Sequence, residues 1–171
     1  MSSTLKRAVG PALVAGVLVA SAATPAAAQT PGSTAFRLFG SLVVVQANAG
    51  VENHVTATVG TNGHLILSDI PAGMAAGPGC TRLSFFSVDC GVATSLAVQL
   101  GDRDDTFNGS TAPINTTVDA GTGTDIVTTG SGNDTIGVQD GVGGDMVNCD
   151  GGTDTVFRDP GDTVTACERV F

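Results

Sequence analysis

The second half of this sequence repeats one short phrase: a glycine-rich turn, an aspartate, a variable residue and a bulky apolar residue. Clear copies occupy residues 121–127, 130–136, 141–147 and 150–156, and weaker copies occupy 101–107 and 162–164. Self-similarity at so short a period is typical of a solenoid, in which each repeat packs only against its neighbours. The repeat therefore limits the possible folds more than any other property of the chain.

The spacing of the aspartates predicts how the repeats stack. Asp125 and Asp134 are nine residues apart, as are Asp145 and Asp154, and alternate copies are 20 residues apart, so two copies should form one coil with two edges. The predicted stacks are Asp105, Asp125 and Asp145 on one edge, and Asp134 and Asp154 on the other. Residues 112–115, near position 114 where the second edge should begin, contain no aspartate. We therefore expect that edge to begin without a site.

The composition of the phrase indicates what each position does. The apolar residue two places after each aspartate should point inward from a very short strand; these residues are Phe107, Val127, Ile136, Val147, Val156 and Val164. Carboxylates stacked about 4.8 Å apart, one strand spacing, repel one another unless a cation lies between them. Calcium suits such a position because it takes carboxylate and carbonyl oxygens alike. Glycine turns present those carbonyls without obstruction from side chains.

The phrase is similar to the G-G-x-G-x-D-x-U-x nonapeptide of the RTX, or haemolysin-type, calcium-binding repeats, and the similarity covers about residues 101–164. The resemblance implies an all-β fold, a parallel β-roll or β-solenoid of short strands and Gly-Asp turns that binds Ca²⁺ between coils. The implied metal ligands are the side chains of Asp105, Asp125, Asp134, Asp145 and Asp154 and the turns at Gly123, Gly132, Gly143 and Gly152.

The repeats depart from the family pattern at several positions. The first glycine of each family turn is replaced, by Ala120, Thr129, Asp140 or Cys149. Arg103 stands where the first copy should have its inner glycine, which we expect to block the glycine geometry, so a site at Asp105 is the least secure. A solenoid without metal, in which each aspartate only forms Asx-turns, remains the alternative.

Residues 1–28 are typical of a secretory signal peptide. Lys6 and Arg7 precede an apolar run over residues 8–23, and three alanines at 26–28 form a cleavage site. A retained membrane helix is the weaker interpretation, because the run is short and contains Pro11. No later segment is long and apolar enough to span a bilayer. We therefore predict an extracellular protein.

Charge narrows the possible partners. Without residues 1–28, five arginines face 16 acidic residues, a net charge of −11, and 13 of those acidic residues lie from residue 101 onward. So acidic a half argues against nucleic acid or an anionic membrane as partner.

Residues 29–100 are predicted to be a β-rich N-terminal part, followed by the repeat region at 101–171. Strands are expected at 39–47, 55–59, 65–67 and 96–100, a loose tail at 29–34 and a loop at 71–79. Asn62-Gly63 favours a hairpin, although a solenoid corner could use the same residues. The loop–cysteine–strand–cysteine order of this part resembles the region that precedes the repeats in short secreted RTX-like bacterial proteins.

Four cysteines in an exported chain suggest two disulfides, and the sequence permits three pairings. We favour Cys80–Cys90 with Cys149–Cys167, because the second pair is 18 residues apart, about one coil. Residues one coil apart stack at a distance that a disulfide accepts. A zinc site is the competing interpretation, but no C-x-x-C spacing or nearby histidine supports it.

The sequence gives little support for an enzyme, because no nucleophile elbow surrounds any serine. Two functions from different classes remain. One is a calcium-binding structural module whose fold the ion stabilises. The other is a metal-independent adhesion protein that presents threonine-rich faces to a glycan or to another protein.

Overall fold

The computed structural model describes residues 29–171, so the predicted signal peptide lies outside the described part of the chain. This part is all-β, and within it there is no helix; its 16 short strands form two sheets of eight. The strands are β1 (Ser33–Arg37), β2 (Leu42–Ala47), β3 (His54–Val59), β4 (His64–Asp69), β5 (Met74–Ala76), β6 (Thr81–Arg82), β7 (Ser87–Val92), β8 (Ser95–Gln99), β9 (Thr106–Thr111), β10 (Asn115–Asp119), β11 (Ile126–Thr128), β12 (Thr135–Gly137), β13 (Met146–Asn148), β14 (Thr155–Phe157), β15 (Thr163–Thr165) and β16 (Arg169–Val170).

From β8 onward, consecutive strands enter the two sheets alternately. The first sheet has the order β16-β14-β12-β10-β8-β2-β1-β5, and the second has β15-β13-β11-β9-β3-β4-β7-β6. Each of the strands from β10 to β16 pairs in parallel with the strand two before it. The first two strands of the series, β8 and β9, pair in parallel with β2 and β3. One passage through both sheets is therefore one coil.

The inward positions of successive coils stack in register. Phe107 pairs with Val127 and Val127 with Val147 in the second sheet, and Ile136 pairs with Val156 in the first. These five residues are buried, as predicted, and Val164 is partly buried against them. Small apolar residues thus fill a narrow interior between the two sheets.

The N-terminal part continues the same sheets. β2 pairs in parallel with β8, and β3 pairs in parallel with β9, so neither sheet is interrupted at residue 100. The remaining strands add four antiparallel pairs, including the β3–β4 hairpin that closes through Asn62-Gly63, and one parallel pair, β1 with β5. Val43, Leu67 and Val88 belong to the same core cluster as the repeat residues.

Three sequence predictions in the N-terminal part were wrong in detail. The strand expected from residue 39 begins at Leu42, because the chain turns at Gly40 with φ +54° and leaves Phe39 exposed. The tail expected over 29–34 contains the start of β1, whose Ser33 is buried and donates a hydrogen bond to Asp69. The loop expected over 71–79 contains β5, which pairs with β1.

The two disulfides are Cys80–Cys90 and Cys149–Cys167, with Cα–Cα distances of 4.1 and 5.2 Å. This is the favoured pairing of the three. Cys149 follows β13 and Cys167 precedes β16, so the second bond ties the last coil to the one before it. Within residues 29–171, no helix has the length and apolar character needed to cross a membrane.

Candidate functional site

The aspartates on one edge of the coils form a continuous chain of hydrogen bonds, here named the first ladder. Each member donates its backbone N–H to a side-chain oxygen of the member in the next coil. The bonds run Asn53 to Asp105 (2.7 Å), Asp105 to Asp125 (2.8 Å), Asp125 to Asp145 (2.7 Å) and Asp145 to Asp162 (3.1 Å). The predicted stack of Asp105, Asp125 and Asp145 is the middle of this ladder.

A second ladder follows the opposite edge. Thr116 donates to Asp134 (2.7 Å), Asp134 to Asp154 (2.8 Å) and Asp154 to Glu168 Oε2 (2.8 Å). The sequence predicted that this edge begins near residue 114 at a position without an aspartate. Thr116 occupies that position. The shift arises because the coil from Thr116 to Asp134 has 18 residues, whereas the next has 20. The edge does begin without a carboxylate.

Asn53 and every carboxylate of the two ladders directly precede a short strand and are held by it, whereas Thr116 lies within β10. The residue after the aspartate donates its N–H back to the aspartate carbonyl of the preceding coil, as Ile126 does to Asp105 and Met146 does to Asp125, both at 2.9 Å. A ladder residue therefore makes hydrogen bonds to the coils before and after it. The register of the strands and the position of the carboxylate fix one another.

Several carboxylates of the two ladders are buried, away from the water that would stabilise their charge. The side chains of Asp105, Asp134 and Asp154 are at most 1% exposed. One oxygen of each carboxylate accepts the ladder bond, but Oδ2 of each is buried without a partner among residues 29–171, and so is Oδ1 of Asn53. A buried acceptor without a donor costs free energy, about 1–3 kcal/mol and more if it is charged. A cation or a proton would remove that cost.

The pKa values of the ladder carboxyls reflect this environment. Burial raises the pKa of Asp105 to about 7 and that of Asp125 to about 6, opposed by the ladder bonds and reinforced by the next carboxylate. Burial likewise raises the pKa values of Asp134 and Asp145. The charged form of each group is therefore disfavoured until a positive charge arrives.

The glycines of the turns are required by close stacking. A Cβ on Gly152 would overlap the carbonyl oxygen of Gly132, and one on Gly123 would overlap that of Arg103. Gly132 and Gly143 face the carbonyl oxygens of Ile114 and Pro160 in the same way. The turn carbonyls thus point along the stack toward a neighbouring coil.

Arg103 does not disrupt its turn, so the expectation that it blocks the glycine geometry was wrong. Its φ of +88° lies in the left-handed region that glycine favours, and its carbonyl oxygen takes the same position under Gly123 that the glycine carbonyls take elsewhere. The ladder bonds at Asp105 are as short as those at Asp125. The coils therefore stack normally at Arg103, although its backbone adopts a strained conformation.

The ladders do not bring several side-chain ligands together at one point. Among residues 29–171, no group of three or more His, Cys, Asp or Glu side chains is placed to hold a metal ion. A cation at a ladder would therefore depend on backbone carbonyls in addition to carboxylates. Hard oxygens of both kinds are the ligands that calcium takes.

Besides Thr116, the search for aspartates missed two ladder members. Asn53-His54-Val55 is a copy of the aspartate–variable–apolar unit with Asn in place of Asp, and it stacks on Asp105-Thr106-Phe107. Glu168-Arg169-Val170 is another copy with Glu in that place, and it stacks on the coil of Asp154. A pattern that allowed Asn and Glu at the first position would have found both.

Comparison with other proteins provides no family assignment. No family model, curated protein sequence or solved structure matches this chain. Its function is therefore inferred from the two ladders and the turns between them.

Proposed function

We propose that the protein is a secreted calcium-binding β-roll, in which Ca²⁺ binds between stacked coils and stabilises the fold. The alternation of short strands between two sheets supports the architectural part of this proposal. So does the parallel pairing at a step of about 20 residues. The two disulfides favour an oxidising compartment such as the extracellular space.

The observation that carries the proposal is the pair of unpartnered oxygens at Asp134 and Asp154. These residues are successive members of the second ladder, and Oδ2 of each is buried with no donor. The charge on Asp154 also raises the pKa of Asp134. Two adjacent buried acceptors with negative charge are the arrangement that a hard cation relieves.

The remaining ligands would come from the backbone. In the turns of the second ladder, Gly132 faces the carbonyl oxygen of Ile114 and Gly152 faces that of Gly132. In the turns of the first ladder, Gly123 and Gly143 face the carbonyl oxygens of Arg103 and Pro160. Bound calcium would supply positive charge to these oxygens and so favour the ionised form of the ladder. Extracellular calcium modules bind at about 10⁻⁴–10⁻³ M, and we expect this range here.

A calcium titration of the purified, disulfide-bonded protein tests the proposal. Starting from protein freed of metal with EDTA, calcium at 100 times its dissociation constant should stabilise the fold by about 2.7 kcal/mol. Asp154→Asn should weaken this response, because it removes one charged ligand. The matched control is Asp119→Asn, since Asp119 is exposed and belongs to neither ladder. Melting curves unchanged between EDTA and 10 mM calcium would contradict the proposal.

One observation favours the alternative of a metal-independent surface for a glycan or another protein. Ile126 and Met146 are 46% and 53% exposed and lie side by side on the outer face of the second sheet. They border a groove of about 110 Å³ together with Thr128, Asn148 and Thr163. Calcium-independent binding to a glycan array that is lost in Met146→Ser would support this second function.

A further inference from the structure

A groove at the C-terminal end of the first sheet lies outside both ladders. Its volume is about 240 Å³, and it is lined by Arg158, Asp159, Pro160 and Phe171. Arg158 follows β14 and donates its N–H to the carbonyl oxygen of Phe171 at 3.0 Å. The N–H of Phe171 donates in turn to the carbonyl oxygen of Val156 at 2.9 Å. The backbone of β14 therefore fixes Arg158 and Phe171 relative to each other.

Phe171 gives the groove an exposed aromatic side. It is 67% exposed, and its ring stacks on that of Phe157, with the ring centroids 5.6 Å apart and 22° between the planes. Phe157 lies on the outer face of β14 and supports one face of the Phe171 ring. Because β16 is an edge strand, no further strand of residues 29–171 covers the opposite face. That face is free to stack on a flat apolar group.

The guanidinium of Arg158 is half-buried and has no carboxylate partner among residues 29–171. The two ion pairs in this part of the chain involve His54 and His64, and neither includes an arginine. Nη1 of Arg158 donates to the carbonyl oxygens of Asp159 and Asp162, at 3.5 and 3.3 Å. Within the same residues, Nε and Nη2 have no acceptor. One part of the guanidinium is thus held by the backbone, and the rest can bind an anion.

The acidic side chains that follow Arg158 in the sequence are bound to backbone N–H groups. Asp159 Oδ2 accepts hydrogen bonds from the N–H groups of Asp140, at 2.8 Å, and Gly141, at 2.6 Å. Asp162 Oδ2 accepts one from the N–H of Asp159 at 2.7 Å. Both carboxylates therefore hold the turns together and do not neutralise the arginine.

We propose that Arg158 and Phe171 form a binding site for a monocarboxylate that has a flat apolar face. The planar guanidinium matches a carboxylate, and the apolar part of the ligand stacks on the phenyl ring. Acidic residues outnumber arginines by 16 to five in residues 29–171, so polyanions are repelled and a single carboxylate is expected. Aromatic acids and sugar acids share this chemistry. The site goes beyond the proposed function, because it uses neither ladder and needs no calcium.

Titration of the purified, disulfide-bonded protein with small acids tests this site. In ¹H–¹⁵N spectra recorded with calcium present, phenylacetate or glucuronate should shift the signals of Arg158 Nε–H and the Phe171 amide together. The shifts should saturate at about millimolar concentration, as expected for ligands of this size. Acetate lacks the apolar face and glucose lacks the charge, so each should bind at least about tenfold more weakly. The tighter of phenylacetate and glucuronate identifies the ring as aromatic or saccharide.

Two variants separate the charge from the aromatic face. Arg158→Gln keeps a polar side chain but removes the charge, and should weaken binding of both ring acids about tenfold or more. Phe171→Ala should weaken their binding about tenfold and leave that of acetate unchanged. The matched control is Arg82→Gln, which removes the same charge from an arginine that lies over the Phe85 ring, 5.6 Å from its centroid. It should bind both acids as the wild type does.

Every outcome decides the inference. A wild-type protein whose signals do not shift with either ring acid overturns it without any variant, and so does acetate that binds as tightly as the ring acids. Equal losses in Arg158→Gln and Arg82→Gln would show that net charge, not this groove, attracts the acid. Shifts that Arg158→Gln retains in full would place the acid elsewhere, for example at bound calcium, and would also overturn it. The calcium proposal is tested by melting curves with and without the ion, so it does not depend on these spectra.

Discussion

The carboxyls of Asp105 and Asp125 hold protons more tightly in the folded chain than an aspartate in an unfolded chain does. Their pKa values are about 7 and about 6, raised from 3.8 chiefly by burial. Between about pH 4 and pH 7 the folded chain therefore binds more protons than the unfolded chain. The resulting stabilisation is fully present at the low end of this window and is lost as the pH rises through the folded pKa values.

We predict that the metal-free protein melts at a higher temperature at pH 5 than at pH 8. Each pKa unit above the unfolded value corresponds to about 1.4 kcal/mol. Asp105→Asn should flatten the profile, because the carboxamide does not titrate, and thermal denaturation in EDTA measures both effects. Asp89 acts in the opposite sense, because His64 lowers its pKa, but only below about pH 4. Stability that increases from pH 5 to pH 8 would contradict this account.

A second prediction concerns Ala166, which has φ +53°. Side chains of L-residues are strained in this left-handed region, by roughly 1–2 kcal/mol. Ala166→Gly should therefore raise the free energy of unfolding by about 0.5–1 kcal/mol, after the greater freedom of glycine in the unfolded chain is subtracted. Urea denaturation measures it. Ala49→Gly is the control, since Ala49 is exposed without a positive φ and should lose stability instead.

At the scale of the strand, the last coil depends on few contacts. β16 has two residues, and within residues 29–171 it pairs with β14 alone. The Cys149–Cys167 disulfide and the bond from Asp154 to Glu168 hold this strand beside its neighbours. Both can be removed separately.

The double variant Cys149→Ser/Cys167→Ser should lose about 3 kcal/mol of stability. Without the disulfide, a loop of 18 residues is no longer restricted in the unfolded chain, so the unfolded state gains entropy. Amide exchange in β16 should accelerate more than exchange in β12. The comparison variant is Cys80→Ser/Cys90→Ser, which should lose stability while leaving exchange in β16 slow. Equal acceleration in β12 and β16 would show that the disulfide does not act locally.

Glu168 should stabilise the protein through its carboxylate, which accepts the last hydrogen bond of the second ladder. Glu168→Ala leaves the N–H of Asp154 without its 2.8 Å partner and should cost about 1–2 kcal/mol. Glu168→Gln retains an oxygen and should cost less. Amide exchange at Asp154 distinguishes the two variants, and equal exchange rates would mean that the carboxylate does not cap the ladder.

Whole strands were predictable where spacing alone determines them. Asp125, Asp134, Asp145 and Asp154 repeat at fixed intervals, so the sequence predicted which of them share an edge and which apolar residues face inward. Coil length varies elsewhere, so the position of Thr116 could not be read from the nine-residue period. β1 and β5 were missed because they contain little β-branched sequence and become strands by pairing with their neighbours. The positive φ of Arg103 is imposed by stacking and leaves no signal in the sequence.

Across the whole molecule, the two sheets enclose one core and end in very short strands. β6 and β16 have two residues each, and β5 and β15 have three. These four are the edge strands of the two sheets. Short edges offer few free backbone groups for pairing with another chain. The ends of the stack are therefore poor templates for edge-to-edge aggregation.

The ladders also give the molecule a direction of growth. Every ladder N–H is donated toward the C-terminus, from Asn53 and Thr116 through to Asp162 and Glu168. Each coil is thus completed by the one that follows it in the chain. The coils are synthesised in that same order. In an incomplete chain, the last residue of each ladder therefore has a backbone N–H without its acceptor, whatever the number of coils before it. A gene that duplicated a stretch of 20 codons between Asp125 and Asp145 would lengthen the stack and leave both of its ends as they are.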